Sequence, residues 1–190
     1  MKSSIVLRLK LYARVAYFDS DVLIRNDAPN CFDVFDDPAK LYAVRDISET
    51  RDWVPSQFTS NFLQTVRAPY YVPLRQNLGW ELDYQQYLSN FFNTGFFVCS
   101  PRYHQALFEF IESHLPNDGS PHCGNYHYEQ ALINYAAQLL ANDAVEFVDE
   151  TWNFIDPDLR NPQMAKFVYH FTGAMSKMLK TQLPAFPWKI

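Results

Sequence analysis

Val15-Ala16-Tyr17-Phe18-Asp19-Ser20-Asp21-Val22-Leu23-Ile24 sets two short apolar runs on either side of an acidic triplet. Four apolar residues in a row, bounded by polar ones, suit a buried strand. Successive strand side chains point to opposite faces. Asp19 and Asp21 are therefore expected on one side, two residues apart, with small Ser20 between them. Two carboxylates brought together repel, and a hard divalent cation with oxygen ligands relieves that repulsion. A surface turn after an edge strand accounts for the same triplet without a metal.

Working outward, residues 3–13 read as a helix, capped by Ser3 or Ser4, with Ile5, Leu9 and Tyr12 on one face. After the triplet come Cys31-Phe32-Asp33-Val34-Phe35-Asp36-Asp37-Pro38 and the apolar run Leu41-Tyr42-Ala43-Val44. A helix, a strand, an aspartate–any–aspartate motif and a segment ending in an aromatic and a proline follow one another. In order and spacing this resembles the nucleotide-sugar glycosyltransferases of the GT-A fold. It is most similar to glycosyltransferase family 8, the retaining glycogenin-like and galactosyltransferase-like enzymes.

The rest of the chain alternates strand and helix signals. Phe91-Phe92-Asn93-Thr94-Gly95-Phe96-Phe97-Val98-Cys99 reads as a turn leading into a strand. Ser100-Pro101 then opens a helix, Ser as cap and Pro in the first turn, with Tyr103, Leu107, Phe110 and Ile111 as its stripe. Tyr128, Leu132, Tyr135 and Leu139 mark a second helix, and Val145–Val148 and Phe167–Phe171 are strand-like. Residues 50–80 read as irregular, with one helix near 57–67. The alternation implies an α/β layered domain. The resemblance sharpens this to a GT-A fold, a mixed, mostly parallel sheet with flanking helices, occupying 1–190 as one partial domain.

Composition bounds the function classes. Apolar residues make up 48% and aromatics 17%, so the chain is globular rather than disordered. No apolar run reaches the roughly 20 residues that span a bilayer, and Met1–Ser4 has no secretory apolar core. Cys31, Cys99 and Cys123 make neither a disulfide framework nor a zinc pattern. These features lead us to expect a cytoplasmic location. All 21 acidic residues lie within 19–158, while both ends carry only basic charge. A basic tail suits an anionic ligand such as a diphosphate, or it docks on the acidic body. No dense basic face interleaves with aromatics, so nucleic acid is not an expected partner.

The resemblance also implies roles. The family carries a His, a Gly and a Lys near its C-terminus. His170 would be the third metal ligand beside Asp19 and Asp21, holding Mn²⁺ or Mg²⁺; Gly173 would let backbone approach a phosphate, and Lys177 would contact the donor diphosphate, with Lys180 as a rival. Imidazole with carboxylates suits Mn²⁺ better than Ca²⁺. Asn93 and Gly95 match the Asn–small–Gly turn that lines the sugar cleft; a tight turn before a core strand fits them equally. Glu129-Gln130 matches the Asp-Gln pair facing the sugar and the reacting carbon, with Glu in place of the usual Asp; a solvated helix pair is the alternative. Trp152-Asn153 matches an aromatic–Asn element on the acceptor side.

The family has further strands before the residue matching Met1. The chain is expected to be a fragment, a shortened relative, or one whose gap a partner such as a second copy covers. The expected function is transfer of a sugar, with retention, from a nucleotide-diphosphate donor such as a UDP-sugar. The acceptor is open: glycan, protein, lipid or small molecule. Two alternatives are a non-catalytic glycan-binding or scaffold relative and a metal-dependent phosphoesterase.

Overall fold

The computed structural model describes residues 6–46, 82–114, 128–155 and 166–171. The expected helix near 57–67, Gly173, Lys177 and Lys180 lie outside them. So do Cys123 and the side chain of Glu129.

Among the described residues, the strands and the α-helices of four residues or more number eleven. They are β1 (Val15–Phe18), β2 (Val22–Ile24), α1 (Cys31–Val34), β3 (Leu41–Arg45), α2 (Tyr84–Ser89), β4 (Phe92–Cys99), α3 (Gln105–His114), α4 (Tyr128–Leu140), β5 (Val145–Val148), β6 (Phe154–Ile155) and β7 (Val168–His170). The strands form two sheets, ordered β1-β4-β3-β5 and β2-β7-β6. Flanking helices and a mixed sheet match the expectation. The mostly parallel character does not extend to the described ladders. Central β4 runs against both β1 and β3, and β2 runs against β7; only β3–β5 and β6–β7 are parallel.

The inner strands β3 and β4 of the larger sheet are buried on both faces, which is why Leu41–Val44 and Phe96–Cys99 read as continuous apolar runs rather than alternating ones. On one face Leu41, Ala43, Phe97 and Cys99 meet Leu107, Phe108 and Ile111 of α3 and Leu132, Tyr135 and Ala136 of α4. On the other, Tyr42, Val44, Phe96 and Val98 meet Phe35, Trp152 and Val168. Trp152 stacks on Phe96 with ring centroids 5.8 Å apart, and Phe35 meets its edge at 4.8 Å. The smaller sheet thus packs against the larger through an aromatic layer.

Two helix expectations change. Residues 6–8 are helical, but the chain then turns through Leu9→Val6 and Tyr12→Leu9 bonds, and Leu11 and Tyr12 are exposed. The short spacing of those bonds is that of a tight turn, not a continuing α-helix. Helix α3 begins at Gln105, after a turn through Pro101–His104, so Tyr103 is exposed and Phe108 takes the core position.

β1 stops pairing with β4 at Phe96. Beyond it, the Phe92 backbone turns to α4: its N–H donates to Asn134 Oδ1 at 2.7 Å, and its carbonyl accepts from Asn134 Nδ2 at 2.8 Å. Asn134 is fully buried, and one amide thereby satisfies both backbone groups. Replacing it by Leu strands a buried donor and a buried acceptor, each costing about 1–3 kcal/mol. The Asn134→Leu protein is expected to lose roughly 2–4 kcal/mol of stability, read as a lower urea midpoint at unchanged slope.

Candidate metal centre

Asp19-Ser20-Asp21 is not the end of a strand but the turn that carries the chain from one sheet to the other. The Val22 N–H closes it on the Asp19 carbonyl at 3.4 Å. The Asp19 N–H donates to the Gly95 carbonyl of β4 at 2.9 Å, tying the first aspartate to the larger sheet. The Asp21 carbonyl accepts from the Phe171 N–H at 3.0 Å, tying the second to the smaller one. The two carboxylates are brought to one side by this turn, rather than by strand alternation.

His170, last residue of β7, pairs with Val22 across the small sheet and faces them. Its Nε2 lies 3.3 Å from Asp21 Oδ1 and 3.8 Å from Asp19 Oδ2. One ligand atom from each of the three residues falls within 4.8 Å of the other two. A six-coordinate ion with bonds of ~2.1 Å needs neighbouring ligands roughly 3 Å apart and opposite ones roughly 4 Å apart, so the donor set fits. The histidine side chain is 4% exposed and the carboxylates 25% and 33%. The protein side of the centre is closed and the carboxylate side is open to a further ligand. One imidazole and two carboxylates could hold a divalent metal ion.

Gly95 explains how the histidine comes so close. A Cβ built there would lie 2.2 Å from His170 Cε1, 2.5 Å from Nδ1 and 2.7 Å from Asn93 Oδ1. The imidazole occupies the space a side chain would need. β4 makes room by a bulge: Ala43 pairs with Phe97 but Val44 with Asn93, leaving Thr94 to Phe96 without β3 partners. Such irregularities re-aim side chains next to sites. Asn93-Thr94-Gly95, expected as a turn before a strand, lies within β4, with Asn93 paired to Val44 and Thr94 and Gly95 in the bulge.

Asn93 and Asn153 sit behind the histidine, both buried. Asn153 Oδ1 is 3.1 Å from His170 Nδ1, Asn153 Nδ2 is 3.0 Å from Asn93 Oδ1, and Asn93 Nδ2 is 3.4 Å from Asp46 Oδ1. Trp152 is part of the aromatic layer. Gln130, in the first turn of α4, accepts weakly from the Thr94 N–H and hydroxyl at 3.4 and 3.3 Å, so it reaches the bulge. Lys166 pairs with Glu150 at 2.6 Å, so this cation of the basic tail docks on the acidic body. Burial pushes the Cys99 thiol up to about 12 and raises Cys31, so neither offers a thiolate at neutral pH. Asp46 and Asn134 went unread in the sequence. Asn134 did carry a signal, a lone amide inside the apolar run Ala131-Leu132-Ile133-Asn134-Tyr135.

No protein-family model matches the chain, and no curated protein matches it significantly. Solved structures do share its fold. Mouse xyloside xylosyltransferase 1 in its apo form superposes with a TM-score of 0.53 at 11% identity, covering 92% of this chain and 65% of that one. The WbbM bifunctional glycosyltransferase, also apo, gives 0.53 at 14% identity, covering 90% of this chain and 31% of that one. The fold is the GT-A glycosyltransferase arrangement, and the chain spans less than two thirds of either neighbour.

Substituting Gly95 by Ala drives a methyl into the imidazole. The expected result is Mn²⁺ binding about 10–100-fold weaker, measured by electron paramagnetic resonance of the free ion, with the far-ultraviolet dichroism unchanged.

Proposed function

We propose that this chain is the metal-binding and catalytic part of a retaining glycosyltransferase that uses a nucleotide-diphosphate sugar, a UDP-sugar in particular. The observation that carries the reading is the convergence of Asp19, Asp21 and His170 at the junction of two sheets, on a fold shared with glycosyltransferases. A divalent ion held by these three residues would offset the charge that builds on the departing diphosphate. Lys177 would add a second positive charge there, and Gly173 would let the phosphate lie against backbone.

Gln130 and Glu129 open α4 beside the bulge, and we assign them to the sugar. An amide or carboxylate oxygen near the reacting carbon stabilises an oxocarbenium-like transition state. Trp152 would act behind the site, as a wall of the aromatic layer. Free Cys31 and Cys99 accord with a reducing, cytoplasmic setting, and no described helix is long and apolar enough to cross a membrane. No second metal-ligating group of three lies among the described residues, so the paired-metal phosphoesterase has no observation in its favour.

Isothermal titration of UDP into the protein, with and without Mn²⁺, tests the reading. Binding is expected only when Mn²⁺ is present and is expected to vanish in Asp21→Asn. Metal-independent binding of glycans with no UDP binding would instead mark a non-catalytic relative.

A further inference from the structure

We propose that Asn93 and Asn153 are positioning residues that hold the His170 proton on Nδ1 and turn the Nε2 lone pair toward Asp19 and Asp21. This inference rests on the metal-site reading above and assigns the two amides a task other than contacting sugar.

The argument runs from groups whose polarity is fixed. An amide side chain can present either its oxygen or its nitrogen, and the choice follows from its neighbours. The Gly95 N–H can only donate, and it meets Asn93 at 2.7 Å, so the Asn93 atom there is oxygen. The other arm of Asn93 is then nitrogen, and it faces the Asp46 carboxylate, an acceptor. Both ends agree. The Asn93 oxygen has a second lone pair, and Asn153 meets it at 3.0 Å, so that arm of Asn153 is nitrogen. The remaining arm of Asn153 is oxygen, which only accepts. It lies 3.1 Å from His170 Nδ1, so Nδ1 carries the proton. In a neutral imidazole the other nitrogen is then unprotonated, and its lone pair faces the two aspartates, an opposition of acceptors that a cation held between them would relieve.

Burial makes the order strict. Asn93 is 7% exposed, Asn153 1% and His170 3%. Reversing any one amide would set donor against donor or acceptor against acceptor among buried groups. Both lone pairs of the Asn93 oxygen and both arms of Asn153 already have partners within the protein, which leaves these groups committed to the histidine. Partners of this kind behind a metal-ligating histidine fix its tautomer and orientation.

Long-range ¹H–¹⁵N correlation on the metal-free, ¹⁵N-histidine-labelled protein, at alkaline pH where the imidazole is neutral, reads the tautomer directly. His170 is assigned from the spectrum of His170→Gln. The expected pattern is a protonated Nδ1 with an unprotonated Nε2. A dominant Nε2–H tautomer in the wild-type protein overturns the proposal, and this result needs no variant to fold. In Asn153→Leu the Nε2–H form should appear and Mn²⁺ binding should weaken by about 10–100-fold; an unchanged tautomer and affinity in the folded variant also overturn it. The two readings fail separately. An Nδ1–H tautomer in a protein that does not bind Mn²⁺ supports the positioning chain and removes the metal assignment. Mn²⁺ binding by a protein whose metal-free His170 is the Nε2–H form does the reverse.

Discussion

The missing side chain of Gly95 is the constraint on which the centre depends. Its backbone serves three partners at once. The carbonyl takes the Asp19 N–H, the N–H fixes Asn93, and the vacant Cβ position is filled by the His170 ring. Any other residue would have to move the imidazole or the bulged strand. Neither moves freely, because the ring is buried and hydrogen-bonded and the strand is packed on both faces. The glycine is needed here for close approach, not for an unusual backbone angle.

Around that point the fold brings two sheets together and lets a single turn join them. β1 belongs to the larger sheet and β2 to the smaller, so Asp19 and Asp21 are each held by a different sheet. Such an arrangement places two like charges close together, at an electrostatic cost that a divalent ion removes. The aromatic layer of Phe35, Phe96 and Trp152 fixes the spacing between the sheets. Packing density in such a layer resists small displacements. The geometry of the three ligands is therefore set by the core behind them.

Much of this was legible in the sequence. The segments 15–18, 41–45 and 145–148 form strands as read, although only 41–44 is buried on both faces, and the period of Tyr128, Leu132, Tyr135 and Leu139 marks a helix that forms as read. The Asp19–Asp21–His170 grouping also came from the sequence, through a family pattern. What local pattern did not contain was register. A bulge is a mismatch between two strands, and neither strand alone records it, so Asn93-Thr94-Gly95 looked like a turn. Asp19-Ser20-Asp21 could be read as a turn after an edge strand, but its anchorage to Gly95 and Phe171, far away in the chain, could not. The amides at 93 and 153 were visible as residues, but their pairing with each other and with Asp46 was not, because those bonds join segments dozens of residues apart.

The central claim is that Asp19, Asp21 and His170 bind one divalent ion together. A crystal soaked in Mn²⁺ and measured at the manganese absorption edge tests it most directly. The account predicts a single strong anomalous peak within bonding distance of both carboxylates and of His170 Nε2. A peak bound elsewhere, or a peak touching the carboxylates while His170 stays hydrogen-bonded away from it, would contradict it.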